Sequence, residues 1–215
     1  MLALSLLALA LPTYATQGVN SAPNSAPRRI LVLGDSLSAE YGLQRGEGWV
    51  ALMEARLQQE KIPSQVINAS ISGETTAGGR NRIAALLALH RPQIVLIELG
   101  ANDALRGLPL SMTLDHLEFI ARSVRESGAQ PILIGIQVPP NYGPQYNRQL
   151  ADAFASVART QHAELVPFLL KGVADVPDAI NLFQADRIHP LASAHPVILN
   201  NVWPAVKKSL QRLQK

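Results

Sequence analysis

The chain has 215 residues, 47% of them hydrophobic and 16% charged, which is ample apolar material for one packed domain and excludes a disordered coil. Nineteen basic against sixteen acidic residues leave +3 with no long run of one sign, so a dedicated nucleic-acid-binding face is not expected. Cysteine is absent, which removes disulfides, thiolate metal sites and thiol nucleophiles, and leaves oxygen or nitrogen as the only nucleophiles.

Residues 1–27 carry no charged side chain and open with the apolar stretch Leu2 to Leu11. A bilayer-spanning helix needs about 20 apolar residues, so this segment is too short for a stable anchor and reads as the core of a secretory signal. Thr13-Tyr14-Ala15 offers a small-x-small cleavage site, and Gln17 to Pro27 is a connector rich in Ser, Asn and Pro. The expectation is a signal peptide and flexible leader over 1–27, one domain over 28–215, no stable membrane insertion, and a mature protein that works outside the cytoplasm as a monomer.

From Arg28 the chain alternates short aliphatic runs with amphipathic ones. Ile30 to Leu33, ended by Gly34, fits a strand buried on both faces. Val50, Met53 and Leu57 share helical spacing within Trp49 to Glu60, and Val66-Ile67 is a second short run. Ile83, Leu86, Leu87 and His90 mark another helix, Ile94 to Leu99 a third run, and Leu114, Leu117, Ile120 and Val124 a helical stripe. Pro131 opens a fourth run through Val138, and Leu165-Val166 is a weaker fifth. The tail from Ala192 is helical by pattern, with Val202, Val206, Leu210 and Leu213 on one face and Pro204 expected to kink or split it. This alternation predicts a parallel sheet with helices on both faces, whose functional residues collect at the carboxyl ends of the strands.

Gly34-Asp35-Ser36-Leu37-Ser38 puts a hydroxyl at such an end. A serine there is either a nucleophile or part of a phosphate cradle, and the pentapeptide alone does not choose. It is not the G-x-S-x-G elbow, because Ser38 stands at the last glycine. Near the other terminus lies Asp186-Arg187-Ile188-His189-Pro190. An acid three residues ahead of a histidine can accept from the imidazole Nδ1–H and leave Nε2 free to take a proton. Ser70 to Thr75 follows the second run and Gly100-Ala101-Asn102-Asp103 the third. The Gly73 N–H, the Asn102 amide and the Ser36 N–H are neutral donors suited to a developing oxyanion. His90, His116, His162 and His195 fall on helical stretches and read as packing or surface residues. Asp35 and Asp103 read as local hydrogen-bond partners shaping the two loops.

Gly34-Asp35-Ser36, Gly73, Asn102 with Asp103, and the Asp186 to His189 loop resemble, in order and spacing, the four sequence blocks of the SGNH (GDSL-type) esterases. Asn68 to Gly73, Glu98 to Asp103, Gly135 to Gly143 and Asn201 to Pro204 are similar to its bacterial acyl-CoA thioesterase/protease/lysophospholipase branch. The resemblance implies a flavodoxin-like α/β/α sandwich around a mainly parallel five-stranded sheet and a periplasmic location. It also implies hydrolysis of acyl esters and thioesters, such as acyl-CoA, lysophospholipid and aryl esters, with no cofactor and no metal. By the same resemblance Ser36 is the nucleophile, His189 the base, Asp186 its partner, and Gly73 and Asn102 oxyanion donors. The acyl chain is expected between the loop Leu105 to Leu110 and the segment Val138 to Tyr142. Two other readings stand beside it: a metallophosphoesterase, for which ligands are scarce, and a flavodoxin-like phosphate- or flavin-binding module, which gives the Asp186 to His189 loop no task.

Overall fold

The computed structural model describes residues 26–214, so the expected signal segment and nearly all of the leader lie outside the described residues. Five strands, β1 (Arg28–Gly34), β2 (Ser64–Asn68), β3 (Ile94–Glu98), β4 (Gln130–Ile134) and β5 (Glu164–Val166), form one sheet in the order β2-β1-β3-β4-β5. All four pairings are parallel. Among the described residues six α-helices connect or follow them: α1 (Trp49–Gln59), α2 (Thr76–His90), α3 (Ala101–Leu105), α4 (Leu110–Glu126), α5 (Pro144–Thr160) and α6 (His195–Arg212).

The continuous apolar runs follow from this architecture, because a parallel strand covered on both faces has no solvent side. Successive side chains alternate between two cores. Ile30, Val32, Ile94, Leu96 and Ile132 pack with Trp49, Met53 and Leu57 of α1 and Ile198, Val202 and Val206 of α6. Leu31, Leu33, Val95, Ile97 and Leu133 pack with Ile83 of α2, Leu117, Ile120 and Val124 of α4, and Phe154 and Val157 of α5. Full burial of each such aliphatic side chain contributes about 1.5–3 kcal/mol, so the three layers are held mainly by these two apolar interfaces.

Helix α5 has no counterpart among the expected elements, and three expectations change. The fourth run stays buried through Ile136 and Val138, but its backbone leaves the sheet after Ile134. Gly135 instead pairs its N–H and carbonyl with Val166 and Leu169, so the run ends as a loop rather than a longer strand. Helix α6 runs unbroken through Pro204, so of the two expected effects the split does not occur. The missing N–H costs about 3 kcal/mol in a helix interior, and the flanking Val202, Trp203, Ala205 and Val206 are all buried against the first core, which offsets it. His162 lies in the turn after α5, not in a helix.

The strand order places a switch point between β1 and β3: the chain leaves β1 outward to β2, then returns to the other side of β1. In open parallel sheets the crevice at such a point, beyond the carboxyl ends, receives ligands. Among the described residues no helix is long and apolar enough to cross a membrane.

Candidate active site

Gly34 ends β1 and the next residues fold back as a turn, with Ser38 N and Ala39 N donating to the Asp35 carbonyl at 3.2 and 3.0 Å. The Asp35 side chain tightens it, Oδ1 accepting from Leu37 N at 3.0 Å. The turn is tied from outside as well. Trp49 Nε1 donates to Leu37 O at 3.1 Å and Asn68 Nδ2 to Ser38 O at 2.8 Å. Ser36 projects from this fixed turn, half-buried at the switch point.

The loop after the short helical turn 179–182 folds back on itself. Leu191 N donates to Leu182 O at 2.8 Å and Gln184 N to His189 O at 2.8 Å, with Phe183 and Pro190 bridged in antiparallel fashion. Arg187 adopts the left-handed region at φ 59° at its tip. Inside the loop Asp186 Oδ1 accepts from the backbone N–H groups of both Ile188 and His189 at 3.0 Å. Its other oxygen, Oδ2, lies 2.7 Å from His189 Nδ1, and His189 Nε2 lies 2.8 Å from Ser36 Oγ. An ionised carboxylate only accepts, so Nδ1 carries the proton and Nε2 accepts from the serine hydroxyl. The Tyr41 ring lies over the imidazole with centroids 4.3 Å apart, and Gln184 Nε2 ties Tyr41 O (2.9 Å) to Pro190 O (3.1 Å).

Desolvation pushes the Asp186 carboxyl up, but the His189 hydrogen bond, the two backbone donors and the imidazole charge outweigh it and hold the pKa at about 2. The carboxylate is therefore ionised throughout the ordinary pH range.

Across the crevice, Ile71 N donates to Gly34 O at 3.0 Å, which brings the segment after β2 alongside the Ser36 turn. Gly73 there has φ +79°, a conformation that a side chain would strain, and its carbonyl accepts from Arg106 Nη2 at 2.8 Å. Among the described residues the N–H groups of Gly73 and Ser36 have no hydrogen-bond partner. Asn102 sits in α3, just past β3. Its Nδ2 donates to Asp35 Oδ2 and to Glu74 O, both at 3.0 Å. Two acceptors facing one end of the amide require nitrogen there, so the orientation is chemically fixed. The next residue, buried Asp103, accepts from Thr76 N at 2.9 Å and from the Thr76 hydroxyl, which bolts α3 to the start of α2. His116 Nδ1 is 3.1 Å from the same hydroxyl.

Residues 32–196 match the GDSL-like Lipase/Acylhydrolase family. The chain belongs to that family. As a GDSL-like acylhydrolase it is an ester hydrolase. It is 46% identical to Esterase TesA of Pseudomonas aeruginosa over 186 residues, 86% of this chain and 91% of the relative. With the Thioesterase 1/protease 1/lysophospholipase L1 of Escherichia coli K12 it shares 39% identity over 189 residues, 88% and 86% of the two chains. Among solved structures, the psychrotrophic esterase EstA from Pseudoalteromonas sp., inhibited by monoethylphosphonate, superimposes with a TM-score of 0.79 at 40% identity. The match covers 86% of this chain and 99% of that one.

The GDSL-like fold thus gathers Ser36, Asp186, His189, Gly73 and Asn102 at one sheet edge. Of the remaining histidines, His195 is 2% exposed and accepts from Trp49 N at 3.0 Å through Nδ1, a packing role. Val138 does not line the crevice: its side chain is in the second core, and Asn147 holds both its N–H and its carbonyl at 2.9 Å. Exposed apolar side chains at or beside the site include Tyr41, Ile71 and Ile188 as well as Leu105 and Tyr142, with Tyr142 Oη donating to Leu105 O at 3.4 Å. Two groups at the site escaped the sequence reading. Tyr41 has no periodic signal, whereas Glu98, a carboxyl inside a buried apolar run, is a visible anomaly.

Proposed function

We propose that this acylhydrolase works by two-step acyl transfer through Ser36, His189 and Asp186. The observation that carries the reading is the unbroken relay from Ser36 Oγ through His189 to Asp186, at 2.8 and 2.7 Å. His189 Nε2 takes the hydroxyl proton as Oγ attacks the acyl carbonyl. The N–H groups of Ser36 and Gly73 and the Asn102 amide receive the oxyanion, and the leaving alcohol or thiol departs with the proton from His189. Water, activated by the same imidazole, then releases the acid. A thioester suits the site because a thiolate leaves readily. The names of the Pseudomonas and Escherichia relatives support substrates that include esters, thioesters and lysophospholipids.

The apolar segment Leu2 to Leu11 supports export, with the mature domain acting in the periplasm or beyond it. Incubation with a phosphonate ester, followed by mass spectrometry, tests the nucleophile: one adduct per chain on Ser36 is expected, and an adduct elsewhere with Ser36 unmodified overturns the assignment.

The three donors are not equivalent. Both protons of Asn102 Nδ2 are engaged in the resting site, so an oxyanion has to share one of them with Glu74 O or Asp35. Asn102→Ala is expected to lower kcat by about 10²-fold, towards the lower end of the range for such donors, with little change in KM. Steady-state kinetics on p-nitrophenyl butyrate reads this; a loss confined to KM would remove Asn102 from the oxyanion site.

The acyl chain is placed against Leu105 and Tyr142, which are exposed where the two loops meet. Each buried methylene contributes about 0.8 kcal/mol, so a contact with two methylenes is worth roughly tenfold in kcat/KM. Leu105→Asp is expected to reduce kcat/KM for decanoyl esters by about that factor and to leave acetyl esters within about twofold. An unchanged chain-length profile would move the chain to another wall.

A further inference from the structure

Glu98 ends β3 opposite Gly34 in the parallel register and is fully buried. Among the described residues no cation is found acting on it. Of the titratable groups, Asp35 faces it from the end of β1 with the two carboxyls in hydrogen-bonding contact, and His189 faces Asp35 from the Asp186 to His189 loop. Glu98 Oε2 accepts from Ser38 Oγ at 2.7 Å and from Asp35 N at 3.2 Å, so it grips the Ser36 turn at both ends. Oε1 is buried and receives no donor among the described residues, so nothing there stabilises a negative charge on it. Gly34 makes this approach possible: a Cβ there would lie 2.9 Å from Oε2 and 2.8 Å from Ser38 Oγ.

We propose that Glu98 is a positioning residue whose uncharged carboxyl, sealed beneath the Ser36 turn, fixes Asp35 and Ser38 and, through Asp35, aims the Asn102 amide at the oxyanion. The inference rests on the reading of Ser36 as nucleophile. It assigns one proton to two adjacent carboxyls, as like charges in contact within an apolar interior require. Burial and the neighbouring Asp35 charge drive Glu98 well above the usual carboxylate value. Burial also raises Asp35, to about 6, against the opposing hydrogen bonds from Leu37 N, Glu98 and Asn102 and the His189 charge. Above that pH the pair carries a single negative charge, held on Asp35. Asp35 then orients Asn102, and the oxyanion forms without a second negative charge close by.

Glutamine reproduces an uncharged carboxyl in shape, with one acceptor and one donor end; leucine keeps volume only. Glu98→Gln is expected to hold kcat within about threefold of wild type, whereas Glu98→Leu lowers kcat at least about tenfold with KM within about twofold. Ser38→Ala, which cuts one tie and leaves the core intact, is expected to lower kcat about threefold, so the proposal stays testable if the leucine variant does not fold.

The pH dependence of stability gives a readout independent of turnover. An acid whose pKa is raised on folding keeps its proton in the native state after the unfolded chain has released it, so stability falls as pH rises above the unfolded value of 4.5. Glutamine has no such loss. The Tm of Glu98→Gln relative to wild type is therefore expected to increase between about pH 4 and pH 8. A Tm difference that does not change with pH, a glutamine variant as slow as the leucine one, or full kcat in either Glu98→Leu or Ser38→Ala overturns the proposal. Phosphonate labelling of Ser36 in the wild type, run alongside, separates failure of this inference from failure of the nucleophile assignment.

Discussion

Ser36→Ala is expected to lower kcat for p-nitrophenyl esters by about 10⁶-fold, the scale at which a triad loses its nucleophile, and to abolish phosphonate labelling. The substitution removes one oxygen whose side-chain hydrogen bond is to His189 Nε2. The turn itself does not depend on that oxygen. Its backbone is held by Asp35 Oδ1, Trp49 Nε1, Asn68 Nδ2 and Glu98 Oε2, all of which remain. Thermal unfolding should therefore be close to wild type, so lost turnover reports lost chemistry and not lost fold. The donors facing the oxyanion also survive, which leaves room for a residual rate of about 10³–10⁴ over water. KM should stay near wild type, because the proposed acyl contacts at Leu105 and Tyr142 are untouched. An alanine variant that hydrolyses every ester at the wild-type rate would remove Ser36 from the reaction.

The sheet was legible from the residues because a doubly covered parallel strand is apolar on both faces, and Ile30 to Leu33 and Ile94 to Ile97 satisfy that without alternation. The site residues were legible for a different reason. Each follows a strand end or sits in a loop whose local bonding is built from its own sequence, as in the Asp186 to His189 loop, where the carboxylate caps two backbone N–H groups two and three residues on. Contacts between distant segments left weaker traces. Helix α5 carries Leu150, Ala153, Phe154 and Val157 on one face after Pro144 at its first turn, so its signal was present in the spacing. Pro204 does not break its helix, since a local rule against proline in a helix yields when both neighbours are packed into a core. The engagement of Asn102 with Asp35, 67 residues earlier, depends on the β1/β3 register and had no sequence signal of its own.

Asp186→Asn is expected to lower kcat by about 10³–10⁴-fold, more than its single-atom change suggests and more than Asp186→Ala. Oδ1 receives two backbone N–H groups, so the asparagine oxygen has to occupy that position; the reverse orientation would set an NH₂ against two donors. The NH₂ then faces His189 Nδ1 and donates to it, which forces the imidazole proton onto Nε2. An Nε2–H cannot accept the proton of Ser36, so the relay is reversed although the geometry is kept. Alanine imposes no tautomer. The carboxylate side chain is 37% exposed, so water can enter and accept from Nδ1–H, restoring the working form in part. The same carboxylate sets a stability signature of opposite sign to that of Glu98. Its pKa is depressed on folding from 3.8 to about 2, so its stabilisation is present above about pH 4 and is lost as pH falls through about 2. The Tm gap between wild type and Asp186→Asn should accordingly be level above pH 4 and close in acid. A gap that persists undiminished near pH 2, or an asparagine variant faster than the alanine one, would show that Asp186 does not orient His189 through an ionised carboxylate.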